Sequence, residues 1–413
     1  MSPSHSTSTT TGLRRSLSLP LITFYGLGNI LGAGIYVLIG KVAGHAGLFA
    51  PLSFVLASLL AGLTAFSYAE LSARFPLSAG EAVYVQKGLG VRWLAAVVGL
   101  LIIFSGCVSA ATILRGFVGY QQVFVPAPEV IVLPLTVLLL GGLAAWGITQ
   151  SVAIAALFTV VEIFGLLLII GVGAPELGTL RSLPVDVEGL GQLDIWIGIA
   201  VGSFLAFFAF IGFEDMVNVA EEVHRPEHTM PRAILLALAF STLLYIAVAL
   251  VALSTLPPSE LADSEAPLAA IYATLTGREP LLITFIGMFA VINGALIQMI
   301  MVSRIIYGMA DRGWLPRRLG HIHRVTRTPV VATVLVASLV LALALSGTTE
   351  ALAKATTYGL LLVFGLANLS LWRIKREKVH PPGIIRIPRW VPALGCIASL
   401  AVILIQLAID LRF

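Results

Sequence analysis

Glu162 stands in the middle of an apolar run, Phe158-Thr159-Val160-Val161-Glu162-Ile163-Phe164-Gly165. An ionisable side chain at that depth in hydrocarbon is costly and by default functional. Burial favours the neutral carboxyl, so Glu162 is expected to couple a proton to the work of the chain. The alternative is a structural glutamate hydrogen-bonded between helices. A second signal is a glycine string inside another apolar run, Gly26-Leu27-Gly28-Asn29-Ile30-Leu31-Gly32-Ala33-Gly34-Ile35-Tyr36. A third is Ala206-Phe207-Phe208-Ala209-Phe210-Ile211-Gly212-Phe213, followed at once by Glu214 and Asp215. Main chain released from helical pairing inside a bilayer survives only where it is buried in protein or lines a cavity. Two interrupted spans at corresponding places in two halves of a chain point to a transporter's substrate site.

The chemistry such breaks offer suits a zwitterion. Backbone N–H groups at the start of a half-helix attract a carboxylate, and glycine lets that backbone approach closely. Gly32, Ala33 and Gly34 are the candidates for this role; the alternative is a helix-packing face of small residues. Carbonyls released over 208–211 are expected to receive an ammonium group, with Phe207 or Phe208 covering the ligand or simply packing. Glu214 and Asp215 either gate the site or complement the positive end of the half-helix that follows. Glu214, Asn218, Glu221 and Glu222 are expected on one helical face. Asn293 is expected to hydrogen-bond across helices or to sit near the site.

The elements that must position these residues are membrane helices. Of 413 residues, 58% are hydrophobic and 11% charged, and the mean hydropathy is +0.99; an ordinary soluble domain is about a quarter charged. Eleven apolar spans are predicted, at about 19–40, 47–74, 92–118, 129–147, 150–173, 193–223, 230–256, 280–310, 329–347, 351–373 and 388–411. Residues 1–18 are expected to be a disordered cytoplasmic tail, 19–373 a ten-helix transport core, and 374–413 a cytoplasmic loop and eleventh helix. A short amphipathic or re-entrant segment is expected over 78–90, and polar loops over 174–192, 257–279, 311–328 and 374–387. The first span has no convincing cleavage site and is expected to be a retained helix. Placing the N-terminus inside puts 19 of the 25 Lys and Arg residues on the cytoplasmic side, the bias expected of a multi-pass cell-membrane protein. On that placement Arg304, Arg312, Arg317 and Arg318 anchor the cytoplasmic face. Spans 1 and 6 then run in opposite directions, as two five-helix units of inverted topology would require.

Other chemistries are excluded. The net charge of +4 reflects loop residues that set orientation and is no nucleic-acid footprint. Cys107 and Cys396 fall inside apolar spans and imply no disulfide framework. No Walker motif, nucleophile elbow or zinc-ligand cluster stands in a credible context, so no catalytic residue, cofactor or metal is expected, and the chain is not expected to be an enzyme.

At these breaks the chain resembles the amino acid–polyamine–organocation family of amino acid permeases, and most of all the bacterial relatives of the cationic amino acid transporters. The resemblance rests on the string from Gly26 to Tyr36, on Phe207 to Glu214 with Glu221-Glu222-Val223, Arg225-Pro226 and Pro231-Arg232-Ala233-Ile234 after it, and on Ser303-Arg304-Ile305-Ile306-Tyr307-Gly308-Met309-Ala310-Asp311 with Gly313 and Pro316. It covers about 19–411. Many relatives have twelve helices, whereas eleven are expected here.

The resemblance implies an all-α polytopic membrane protein with a five-plus-five inverted-repeat, leucine-transporter-like core and discontinuous helices 1 and 6. It implies a substrate site from Ile30, Gly32, Ala33, Gly34, Phe207, Phe208, Ala209, Phe210, Ile211 and Gly212, with Glu162 for ion coupling and Glu214, Asp215 and Asn293 for gating. The expected function is secondary transport of amino acids by alternating access, coupled to protons. An obligate exchanger without ion coupling and a non-transporting amino acid sensor are the alternatives. The expected partners are a small amino acid, the lipid bilayer and protons. Neutral or broad specificity is preferred, because no second carboxylate is evident in the pocket; side-chain recognition is expected from spans 3, 6, 8 and 10.

Overall fold

The structure, a computed structural model, describes residues 13–182, 192–264, 266–346, 349–377 and 383–410. In lipid every backbone N–H and C=O must be paired within the protein, and helices do this locally. The described residues accordingly form helices α1 (Leu19–Ala46), α2 (Ala50–Arg74), α3 (Gly80–Leu89), α4 (Arg92–Phe124), α5 (Glu129–Trp146), α6 (Ile148–Gly173), α7 (Leu193–Ala209), α8 (Pro226–Thr255), α9 (Pro258–Asp263), α10 (Pro267–Thr276), α11 (Leu281–Asp311), α12 (Val330–Ser346), α13 (Thr349–Ile374) and α14 (Trp390–Asp410). Eight helical stretches are long and apolar enough to cross a membrane; shorter apolar helices stand at Val330–Ser346, Tyr358–Ile374 and Trp390–Ile405, the places of spans 9 to 11. The protein is an all-α polytopic membrane protein.

Spans five apart in sequence order pack on one another. Spans 1 and 6 meet as α1 and α7, spans 2 and 7 as α2 and α8, spans 3 and 8 as α4 and α11, and spans 4 and 9 as α5 and α12. Helix α11 is the central post, buried along most of its length. By contrast α5 turns Val130, Ile131, Leu135, Leu138 and Leu139 outward, the face that lipid would cover.

Several connections are more ordered than their polarity suggests. Residues 13–18 include an extended stretch in which Leu17, fully buried, donates its N–H to Glu222 O at 2.9 Å and accepts from His224 N–H at 2.9 Å. The expected tail therefore ends in a bridge to the sixth span; residues 1–12 lie outside the described residues. The expected loop 257–279 folds into α9 and α10. There Gly40 of α1 lies so close to Leu261 that an added Cβ would sit 2.1 Å from its carbonyl oxygen, and Lys41 Nζ donates to Ala262 O at 3.0 Å. Beyond α13, Lys375 Nζ and the Ile387 N–H both donate to Glu70 Oε2, while Arg74 Nη2 pairs with Glu70 Oε1 at 2.7 Å. Glu70 thus ties the 374–387 connection to α2. Within the segment expected to be amphipathic or re-entrant over 78–90, Gly80–Leu89 form helix α3, most of whose residues are buried.

Candidate functional site

Both expected breaks are present. In α1 the chain leaves helical geometry at one residue, Gly32 (φ −17°, ψ −136°), and resumes as helix. The other glycines of the string pack: an added Cβ would sit 2.3 Å from Met216 Sδ at Gly26 and 2.1 Å from Thr159 Oγ1 at Gly28. Gly34 packs against Ala209 of α7, with 3.0 Å from such a Cβ to Ala209 Cα. The side chain of Ala33 lies outside the described residues.

The sixth span is interrupted more deeply. Helix α7 stops at Ala209, 210–213 form a turn, and Glu214–Glu222 continue as 3-10 helix. Gly212 has φ +130°, a conformation open to glycine and strained for other residues. Its N–H donates to Glu214 Oε2 at 2.8 Å, and its carbonyl accepts from Asn29 Nδ2 at 3.0 Å.

The freed carbonyls differ from expectation. Phe207 O accepts the Phe210 N–H at 3.0 Å and Phe208 O the Ile211 N–H at 3.2 Å. The Tyr245 hydroxyl of α8 lies 2.8 Å from Ala209 O and 2.5 Å from Ile30 O, so its one hydrogen serves either break. Of the acceptors expected for a ligand over 208–211, the Phe208 carbonyl is thus engaged by the turn itself and the Ala209 carbonyl by Tyr245. The 3-10 winding also separates the acidic residues expected on one face. Asn218 Oδ1 accepts the Gly80 N–H at 2.9 Å, and Glu221 Oε2 accepts from Ser78 Oγ at 2.7 Å. Glu222 pairs with Arg304 Nε at 3.2 Å, both side chains fully buried. Arg304 is therefore an internal ion pair and not a surface anchor.

Between the breaks lies a cavity of about 300 Å³, at the small end of ligand pockets. Ile30 and Gly34 line it from α1, and Phe208, Ile211, Glu214 and Asp215 from the sixth span. Span 3 contributes a strip from Ile102 to Ile113 that includes Ser105, Ser109 and Thr112, α11 contributes Gln298 and Met301, and α13 contributes Leu360. The wall is organised by Asp215, whose Oδ2 accepts from Asn29 Nδ2 at 2.5 Å and Gln298 Nε2 at 2.6 Å. These bonds join α1, the sixth span and α11 at one carboxylate. Two carboxyl groups in a largely apolar wall offer acceptor oxygens that suit a positively charged group.

Other expected site residues fall outside this cavity. Phe207 packs edge-on against Phe364, and Phe210 is buried against Tyr245. Ala209 is buried under Gly34. Asn293 donates from Nδ2 to Thr159 Oγ1 at 3.0 Å and to Glu162 Oε1 at 2.8 Å. Glu162 is fully buried and its Oε2 has no hydrogen-bond partner. The pair bridges α6 and α11 behind Gly28, next to the site and not in its wall. Asn29 and Gln298, like Ser105, Ser109 and Thr112, are polar wall residues to which sequence pattern assigns no role. For Asn29 and Gln298 a signal was available: each is an amide in an apolar span, Asn29 inside the glycine string itself.

A family profile described as amino acid permease matches residues 17–410. The chain belongs to the amino acid permease family. It is a family of permeases rather than enzymes. Among relatives, this permease is 31% identical over 383 residues to a vacuolar cationic amino acid transporter of Arabidopsis thaliana, covering 87% of this chain and 59% of the relative. It is 30% identical to an uncharacterised transporter of Mycobacterium tuberculosis, over 93% of this chain and 85% of the relative. It is 27% identical to a branched-chain amino acid permease of Bacillus subtilis, over 94% and 86%. The chain thus spans about three fifths of the length of the plant transporter it matches.

Proposed function

We propose that this permease is a secondary transporter that carries amino acids across the cell membrane by alternating access, with its N-terminus on the cytoplasmic side. The observation that carries the proposal is the cavity between two helix breaks, walled by Glu214 and Asp215. In this scheme N–H groups beyond Gly32 receive the substrate carboxylate. Asp215, held by Asn29 and Gln298, receives a positive group, and the strip Ser105–Ser109–Thr112 with Ile113 and Met301 meets the side chain. The two carboxylates remove the reason for preferring a neutral substrate, so basic amino acids are the first to test. The name of the plant relative points the same way, and the name of the Bacillus relative points to branched-chain substrates.

Glu162 is the proposed proton carrier. Support comes from its full burial, its one unpartnered oxygen and its bond to Asn293, which packs on the α1 glycine string. The same bond suits a structural bridge, so the test must read protons. In proteoliposomes an imposed inward proton gradient is expected to drive uptake of lysine or leucine above equilibrium, and Glu162→Gln to abolish the drive while leaving counterflow. Uptake indifferent to the gradient in the unaltered protein would establish the exchanger instead.

A further inference from the structure

Glu81, on the first turn of α3, is a fully buried carboxyl that the transport scheme above does not use. Neither of its oxygens makes a hydrogen bond of ordinary geometry, and the Tyr68 hydroxyl, the Tyr84 hydroxyl and Asn218 Nδ2 around it are also unpartnered. Its flanks, by contrast, are fastened. Ser78 Oγ donates to Glu221 at 2.7 Å and the Gly80 N–H to Asn218 at 2.9 Å, so the start of α3 is docked on Glu214–Glu222, the segment that follows the sixth-span break. Ala79 between them is left-handed, φ +59°, a conformation costly for a residue with a Cβ. The docking therefore holds a strained turn over an unpaired acid.

The groups that act on Glu81 come from three elements. Asp215 and Glu214 stand on the docked segment, Tyr68 on α2 and Tyr84 on α3 itself. Helices α4 and α13 also pack on α3, and none of their groups is among those that shift Glu81. The ionisable groups that act on it are themselves acids or phenols. A carboxylate here would lack both solvent and counter-ion.

We propose that Glu81 is a proton-binding site that controls whether α3 stays docked on Glu214–Glu222. With a proton on the carboxyl, the neutral acid tolerates burial and α3 stays down. Loss of the proton creates a charge beside Glu214 and Asp215 that is relieved only when the turn at Ala79 lifts and admits water. Burial, the largest effect, pushes the docked Glu81 carboxyl up to about 8; its own backbone N–H opposes this, the charge of Asp215 adds to it, and the Asn218 amide opposes it least. Undocked and wetted, it returns to the ordinary carboxylate range. Undocking is therefore unfavoured at low pH, grows easier as pH rises, and gains nothing further once the docked form also ionises.

The inference rests on the transport reading only for its consequence, that a proton opens or closes one side of the substrate cavity. The experiment reads docking without transport. Hydrogen exchange of peptides covering 78–89 is followed in the purified full chain from pH 5 to 9, corrected for intrinsic rates. The opening constant is expected to rise about tenfold per pH unit, as release of one proton requires, and to level off near the docked value of about 8. Glu81→Gln and Glu81→Leu remove the titrating group and are expected to fold and to give flat profiles. A flat wild-type profile, a slope that persists in either variant, or failure of both variants to fold would each overturn the proposal.

Discussion

In α1 the helix bends at Gly32 and resumes; in the sixth span it stops, turns through 210–213 and restarts as 3-10 helix. The first break contributes no charge and is enclosed by glycines fitted against Met216, Thr159 and Ala209. The second carries Glu214 and Asp215, and it borrows Asn29 from α1 to hold Gly212 and Asp215 in place. The comparison shows a division of labour. The α1 break is a matter of space and bare N–H groups, whereas the sixth-span break is a matter of acceptors that must be neutralised by donors from elsewhere. The first is maintained by packing and the second by a hydrogen-bonded bridge.

That contrast can be attacked at its bridge. Asp215→Ala leaves the Asn29 and Gln298 amides without their carboxylate and removes the acceptor for a cation. Truncating one member of a buried charged pair typically costs about 2–5 kcal/mol, so substrate affinity by thermal shift or binding calorimetry is expected to fall at least about thirtyfold. An unaltered affinity would show that the second break does not recognise charge. A milder attack compares two glycines. Gly212→Ala meets a φ of +130° and a Cβ only 2.8 Å from Asn29 Nδ2, and is expected to destabilise by about 1–3 kcal/mol. Gly34→Ala meets only the Ala209 contact at 3.0 Å and is expected to cost less, near 1 kcal/mol. Thermal unfolding in detergent measures both; the reverse order would mean that the α1 break is the more tightly specified.

The smallest effect separates two neighbouring aromatics. Phe208 lines the cavity and Phe207 packs on Phe364. Phe208→Leu is expected to weaken substrate binding about fivefold to tenfold, on the order of 1 kcal/mol, and Phe207→Leu less than about twofold. Equal effects would place the ligand elsewhere than in this cavity.

Part of this was legible in the sequence. Glycines within an apolar span and an acidic pair after another marked where helices would fail, because hydrocarbon penalises both features and each therefore needs a reason. The string of glycines did not say which residue bends. Gly26, Gly28 and Gly34 accept close neighbours and Gly32 departs from helix, a distinction that depends on what α6, α7 and α11 place beside them. Arg304 read as a surface anchor because a lone arginine near a span's end usually is one; its partner Glu222 is 82 positions away. Gln298 went unnoticed for the same reason, since an amide inside a helix gains meaning only when a carboxylate from another span faces it. Glu81 stands in a segment that local pattern reads as amphipathic or re-entrant, and that pattern does not say which element covers the acid.

The amino-acid sequence by itself determined that the chain lives in a membrane, that its elements are helices, and which two of them are interrupted. These follow from hydropathy and from the backbone's need for pairing, both local properties. Tertiary structure alone decided which carboxylates face the cavity, which carbonyls remain engaged, and that α3 is pinned over a buried acid. Each of those depends on groups far apart in the chain meeting within about 3 Å, a distance that no local pattern of residues can specify.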